Sequence, residues 1–306
     1  MLAERLRVEE QDTLILCRPA TPYLCLGYHQ PLAAILDAKE CQRRGLPVVR
    51  RRLGGGTTYL DANQLFYQCV FHHSRLPATV QDVYRLVLAA PVAVLRRLGL
   101  NAELREVNEI EVDGKRIAGT GGGRIGEACV VVGNLLFDFD FDAMVSVWRT
   151  PSPAFRRLAA KALRERVVTL RQMGVTTSFE AVAAMLIEAF AEAFGRELRP
   201  DSLTAAEREL AEAMAAELTS AAFLALHRER GDSPPPLKIS ARAFIHADTM
   251  SLNGYRLTGS FLVAQERIQE VIFESDPPHD WRCLQERLRG IPFKQWKEQV
   301  LGQPQA

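Results

Sequence analysis

Three arginines run into three glycines, Arg50-Arg51-Arg52-Leu53-Gly54-Gly55-Gly56, between a short apolar run at 46–49 and a β-prone run that begins at Thr57. No other stretch restricts the chain as strongly. Glycine has no Cβ, so its backbone can turn tightly and let a ligand lie against bare N–H groups. The guanidiniums beside it carry permanent positive charge. A turn of this kind holds an anion through its amides, and flanking arginines balance the charge. The stretch therefore predicts a phosphate or adenylate site inside a folded scaffold rather than in a linker.

The segments on either side alternate between strand and helix patterns. Strands are predicted at 13–17 and 23–26, the second broken by Gly27, followed by a helix over 32–44 that Gly45 stops. A strand at 46–49 leads into the glycine turn, and 59–71 reads as mostly strand. Val83, Leu86, Val87, Ala90, Val94, Leu95 and Leu98 recur at helical spacing and predict an amphipathic helix over 80–98. Asp113-Gly114, between strands at 103–112 and 115–120, is a strong short-range hairpin signal. A second glycine cluster, Gly121, Gly122 and Gly123, precedes a buried strand over 128–139. Helices are expected at 153–173, 179–194 and 205–226.

The proline-rich segment 228–236 cannot continue a helix and reads as a linker. Strands at 238–246, 255–264 and 268–274 and a helix at 281–288 follow it. The fold class predicted is α+β (mixed α/β). A large domain over 1–230 has central β-sheets flanked by helices, and a small α+β accessory domain occupies 237–306.

A chain of 306 residues can bury a full core. Its 38 Lys+Arg against 37 Asp+Glu leave a formal net charge of +1, so no global field favours nucleic acid or a membrane, and any anion site must be local. The N-terminus lacks an apolar signal core and no run reaches about 18 apolar residues, so a cytoplasmic protein is expected. Cys17, Cys25, Cys41, Cys69, Cys129 and Cys283 are scattered without C-x-x-C spacing, which favours reduced thiols over a zinc site. His72 and His73 adjoin on a predicted strand, so they are expected to face opposite ways as surface groups. No metal-ligating residue is assigned.

Taken together, the glycine turn, the Asp-Gly hairpin and the small trailing domain resemble the biotin/lipoate protein ligase superfamily, lipoate-protein ligase A type, over nearly the whole chain. PYLCLGYHQ at 22–30 looks like the family's first substrate-wall strand, and RRRLGGGTTYLD at 50–61 resembles its arginine-glycine signature. NEIEVDGKRIAGT at 108–120 is similar to its hairpin element, RVVTL at 166–170 to a family helix, and KISARAF and LRGIPF to the start and end of its accessory domain.

The resemblance implies an enzyme that activates lipoate with ATP and Mg²⁺ to lipoyl-adenylate. It then passes the lipoyl group to a lysine of a small carrier, either a GcvH-like protein or an E2 lipoyl domain. Arg51, Gly54, Gly55, Gly56, Thr57, Thr58, Tyr59, Asn108, Gly119 and Thr120 are implied to bind ATP or the adenylate. Strands at 23–26, 59–71 and 130–136 would line an apolar slot for the acyl chain.

The chain departs from the family pattern at several points. Arg116 stands where the family has lysine, with Lys115 one place earlier. Leu60 and Val132 replace histidines, and Glu109 replaces an aspartate. If Ile117 faces the core, strand alternation puts Lys115 on its side and Arg116 on the other, which makes Arg116 the expected catalytic cation and Lys115 its competitor. Two alternatives stay open: an octanoyl or lipoyl transferase on the same fold, and a catalytically weak lipoyl-binding or carrier-docking protein. Gly56 at the third glycine and the accessory domain favour the ligase. Cys129, the one cysteine expected near the site elements, is expected to be a structural thiol. The basic face at 156–171 is expected to be a solvated surface, with docking of an acidic carrier as its functional counterpart.

Overall fold

The computed structural model describes residues 2–227 and 235–301. Two compact units are built from interleaved segments: 1–30, 42–140 and 167–227 form the first, and 31–41, 141–166 and 228–306 the second. Most of the predicted linker, 228–234, lies outside the described residues. No described helix is long and apolar enough to cross a membrane.

The first unit contains β1 (Thr13–Cys17), β2 (Tyr23–Leu26), β3 (Val48–Arg50), β4 (Thr58–Leu60), β5 (Gln64–His72), β6 (Ala102–Arg105), β7 (Glu109–Val112), β8 (Lys115–Ile125) and β9 (Ala128–Leu136). Six of these make a sheet ordered β1-β5-β9-β8-β7-β6, with every neighbouring pair antiparallel. A smaller sheet is ordered β3-β2-β4, with β2 parallel to β3 and antiparallel to β4. The strand expected over 59–71 is thus two strands in different sheets. Asp61 divides them, because its Oδ1 accepts the Asn63 N–H at 2.9 Å and folds the chain into a side-chain-closed turn.

Asp113 and Gly114 turn with φ of +50° and +75°, the double positive pair that matches strand twist in a two-residue hairpin. The second glycine cluster lies within β8, where Gly121, Gly122 and Gly123 pair with Val132, Val131 and Val130. Helices Val80–Arg97 and Phe179–Phe194 pack together over the six-stranded sheet. Val87, Leu88, Val94, Leu95, Leu186 and Phe190 meet Tyr67, Ile110, Ile117 and Leu135 in one buried cluster. Burial of each such aliphatic side chain contributes about 1.5–3 kcal/mol. Thr79 and Ser178 cap the two helices by accepting the N–H of Asp82 and Ala181, a contact worth about 1 kcal/mol each.

Several predicted helices are shorter than expected, each for a local reason. The helix over 32–44 is two, Leu32–Ile35 and Ala38–Arg43. Leu36 is extended, and Asp37 Oδ1 restarts the helix by accepting the N–H of Lys39 at 3.0 Å and of Glu40 at 3.2 Å. The helix over 153–173 ends at Arg166. The chain then leaves the helix, with Val168 N–H donating to Arg116 O at 2.9 Å and Leu170 N–H to Leu136 O at 2.8 Å, so RVVTL beyond Arg166 is not helical. The helix over 205–226 is Ala205–Thr219 and Ala221–Leu224, divided by Ser220, whose Oγ accepts the Phe223 N–H.

The second unit carries β10 (Leu237–Lys238), β11 (Ala243–Leu252), β12 (Tyr255–Ala264) and β13 (Arg267–Asp276) in an antiparallel sheet of that order. The strand expected over 238–246 is therefore a small hairpin. Helix Pro153–Arg166 packs against β11, β12 and β13. Phe261, Phe273 and Trp296 centre a separate core, with Phe261 and Trp296 ring centroids 4.9 Å apart. Helix Phe141–Val147, in a stretch to which the sequence pattern assigned no element, buries Ala143, Met144, Val145 and Val147.

Candidate active site

The glycine turn is built by β2, β3 and the loop between β3 and β4. Its three arginines, expected to face a ligand, are all engaged by protein acceptors. Arg50 is fully buried and donates to the carbonyls of Gly27, Tyr28, Gln30, Phe223 and Leu224 at 2.6–3.1 Å. Burial pulls its pKa down, and the five carbonyls compensate for the lost water. Arg52 pairs with Glu4 and with Glu217, the latter at 2.8 Å.

Arg51 braces the turn itself. Its Nη2 donates to Gly54 O and Gly56 O at 2.7 Å, its Nε to Gly54 O at 3.1 Å, and its Nη1 to Cys25 O at 3.0 Å. In a trans peptide C=O and N–H point opposite ways. Drawing the Gly54 and Gly56 carbonyls inward therefore turns the N–H groups of Gly55 and Thr57 outward, away from Arg51. Amides turned outward in this way are able to hold an anion.

Gly55 has φ +96°, and a Cβ there would lie 2.9 Å from Arg51 Nη2. A Cβ on Gly27 would lie 2.0 Å from Gly55 O, so β2 ends where the turn rests directly on its backbone. Gly56 is different: a Cβ there would meet nothing within 4 Å. Sequence reasoning treated Gly27 only as a strand breaker. It also missed Gln30, whose Oε1 accepts from Gly27 N–H at 3.0 Å and from Thr57 Oγ1 at 2.7 Å, and His29, whose ring flanks Gly54.

The remaining predicted residues gather at the hairpin. Thr120 Oγ1 donates to Asn108 O, and the Asn108 side chain bonds Tyr84. Gly119 N–H donates to Asn134 Oδ1 at 2.7 Å, Asn134 Nδ2 to Gln64 Oε1 at 2.7 Å, and Gln64 Nε2 to Tyr59 O at 3.1 Å. This buried polar chain ties β8 through β9 and β5 to β4, the strand that follows the glycine turn. Thr58 lies on β4 beside Tyr59, whose ring is buried edge-on to Phe139 with centroids 6.2 Å apart. Leu53, immediately before the turn, comes within 3.1 Å of where a Gly123 Cβ would be, so the two glycine clusters are neighbours.

Lys115 is exposed at the hairpin mouth and Arg116 is half-buried. The alternation expected around Ile117 does not run straight through: Ile110 pairs with Ala118 and Glu111 with Arg116, so Ile117 is the extra residue of a β-bulge. Ile117 and Ala118 are consequently both fully buried. Arg116 Nη1 lies 3.7 Å from Glu109 Oε1; burial pulls its pKa down while Glu109 supports its charge.

Cys129, expected to be the one thiol near the site, is half-buried on β9 with its pKa raised by burial. Cys25 is closer to the turn, with its Sγ accepting from Arg51 Nη1 at 3.6 Å. Burial holds the Cys69 thiol well above the ordinary range.

The sequence matches the family described as Lipoyl protein ligase A/B catalytic domain over residues 1–191. It is 31% identical over 236 residues to octanoyltransferase LipM of Kyrpidia tusciae, covering 69% of this chain and 86% of that protein. A bi-partite lipoate protein ligase from Thermoplasma acidophilum, solved in a study of an archaeal lipoylation system and its E2 lipoyl domain, aligns with a TM-score of 0.68. The identity is 26%, over 76% of this chain and 91% of that one. A lipoate-protein ligase A bound with ATP aligns with a TM-score of 0.62 at 25% identity, over 74% and 90% of the two chains. The mixed α+β fold and the superfamily expected from the sequence agree with these likenesses. With an octanoyltransferase and lipoate ligases among its relatives and the match spanning 191 of 306 residues, the chain belongs to the lipoyl protein ligase A/B catalytic-domain family.

Proposed function

We propose that the protein is an ATP-dependent lipoate-protein ligase. The observation that carries this reading is the Arg51 brace, which turns the Gly55 and Thr57 amides outward as a cradle for phosphoryl oxygens. In the first step a lipoate carboxylate oxygen attacks the α-phosphorus of ATP, lipoyl-adenylate forms and pyrophosphate leaves. In the second, the amine of a carrier lysine attacks the acyl carbonyl and AMP leaves. Gly54, Gly55, Gly56 and Thr57 hold the phosphoryl side, with Thr58 and Tyr59 continuing the wall. Asn108, Gly119 and Thr120 shape the hairpin side, and Arg116 supplies the cation for charge developing at phosphorus and at the acyl carbonyl. Mg²⁺ held by the ATP phosphates would neutralise part of their charge. The carrier is a lipoyl domain, as in the Thermoplasma system, or a GcvH-like protein. The catalytic domain corresponds to 1–230, the accessory domain to 237–306, and the compartment to the cytoplasm.

A second reading has its own support. The likeness to an octanoyltransferase and the Arg51 contact to Cys25 Sγ favour acyl transfer through a cysteine thioester. The two readings separate in one experiment. The ligase releases pyrophosphate when lipoate and ATP are added, and Cys25→Ser, Cys69→Ser and Cys129→Ser each keep most of that activity. An acyl-enzyme that hydroxylamine cleaves and that Cys25→Ser abolishes, without pyrophosphate release, would establish the transferase.

A further inference from the structure

We propose that His72, His73 and Glu127 form a binding site for a divalent first-row transition ion of the Zn²⁺ class, separate from the glycine turn. The two histidines do not diverge as they would on a continuous strand. His72 ends β5 and His73 opens a 3-10 turn, His73–Arg75, so their rings stack with centroids 4.7 Å apart and planes 27° apart. Both Nε2 atoms approach one carboxylate oxygen: His72 Nε2 is 3.6 Å and His73 Nε2 3.0 Å from Glu127 Oε2. All three ligand atoms lie within 4.8 Å of one another. Donors bound tetrahedrally at the usual zinc distances are about 3.3 Å apart, and the two separations to Glu127 bracket that value.

The backbone fixes this arrangement. His72 pairs with Ala128 in the β5–β9 ladder, and His73 N–H donates to Glu127 O at 3.0 Å. His72 Nδ1 lies 2.8 Å from Ser74 Oγ and accepts the Ser74 N–H at 3.3 Å. With an ion on Nε2, Nδ1 takes up the proton, gives up the Ser74 N–H and donates to Ser74 Oγ instead, the kind of outer contact that orients a metal-bound imidazole. Arg124 Nη2 sits 3.7 Å from the other oxygen, Glu127 Oε1, and leaves Oε2 to the ion. Two imidazoles and one carboxylate suit zinc, cobalt or nickel, whereas Mg²⁺ and Ca²⁺ prefer oxygen donors. His72 is buried, but His73 and Glu127 side chains are 38% and 49% exposed, so an ion can enter and water can take the fourth position. The bound ion would clip the end of β5 to the β8–β9 turn.

The test uses the full chain, stripped of metal with a chelator and titrated with Zn²⁺ against a chromophoric competitor. The expected result is one Zn²⁺ per chain and a raised thermal midpoint. His73→Ala and Glu127→Gln alter exposed side chains and should weaken binding tenfold or more while remaining folded. Ser74→Ala should weaken it roughly tenfold. His279→Ala, which removes a histidine of the second unit, should leave it unchanged. Cobalt substitution should give the visible absorption of a four-coordinate ion in the wild type and in His279→Ala, but not in His73→Ala or Glu127→Gln. Wild-type protein that takes up no stoichiometric Zn²⁺, or uptake that survives both His73→Ala and Glu127→Gln, would overturn the proposal.

Discussion

Replacing Gly56 with valine probes the glycine turn without disturbing its fold. A Cβ at Gly56 meets nothing within 4 Å, and its φ lies outside the left-handed region. Stability should therefore change by no more than about 0.5 kcal/mol, or roughly 1–2 °C in midpoint for a unit of this size. Gly55→Ala is the contrast. Its φ of +96° imposes about 1–3 kcal/mol of backbone strain, and its Cβ, 2.9 Å from Arg51 Nη2, disturbs charged hydrogen bonds worth about 1.5–3 kcal/mol. The sum is about 2.5–6 kcal/mol, so Gly55 is a poor probe of ligand approach by itself. Gly27→Ala should be worst, since its Cβ falls 2.0 Å from the backbone oxygen of Gly55 and the turn must move. The assay pairs thermal unfolding with pyrophosphate release and with binding of a non-hydrolysable lipoyl-adenylate analogue. Gly56→Val should unfold like the wild type yet lose roughly a hundredfold in rate, the cost of displacing a reacting group by about 1 Å. Wild-type analogue binding by Gly56→Val would show that the outward amides do not face the ligand.

Arg116→Ala is expected to lose roughly a hundredfold or more in adenylate formation, while Lys115→Ala, which removes an exposed charge, is expected to be nearly normal. The reverse order in pyrophosphate release would transfer the catalytic role to Lys115. Asn134→Leu strands the Gly119 N–H and the Gln64 side chain and should cost about 1–3 kcal/mol for each; an unchanged denaturant midpoint would refute the buried polar chain as a stabilising unit. Burial pushes the Tyr23 hydroxyl up to about 12 from 10, with Cys25 adding to the rise. Its pKa is higher folded than unfolded, so its contribution is whole below pH 10 and is lost as pH rises from 10 to 12. Tyr23→Phe should flatten the fall in denaturant midpoint across that window, and parallel curves for the two proteins would contradict the assignment.

The elements legible in the sequence are those whose cause lies within a few residues. Strands β1, β2 and β12, helix Phe179–Phe194, the bulk of helix Val80–Arg97 and the Asp113-Gly114 turn follow from local periodicity, from break residues, or from a dipeptide tolerant of positive φ. The glycine turn was also visible, because three glycines beside three arginines are a local pattern. Boundaries failed where a single polar side chain intervened, as Asp37, Asp61 and Ser220 each redirect the backbone by accepting nearby N–H groups.

What each arginine does was decided only by the tertiary structure. Arg50 satisfies carbonyls at Phe223 and Leu224, more than 170 residues away, and Arg52 reaches Glu217. A guanidinium goes wherever five donors find acceptors as water is removed, and chain closure alone brings those acceptors near. The same holds for Gln64 and Asn134, which look like ordinary polar residues on strands until β5 and β9 pair and exclude solvent between them. It holds again for His72 and His73, whose convergence depends on β5 ending between them and on Glu127 being presented by the next hairpin. Sequence neighbours set the conformation of each segment. The partners of its charged and polar groups are set by which segments the hydrophobic core forces together.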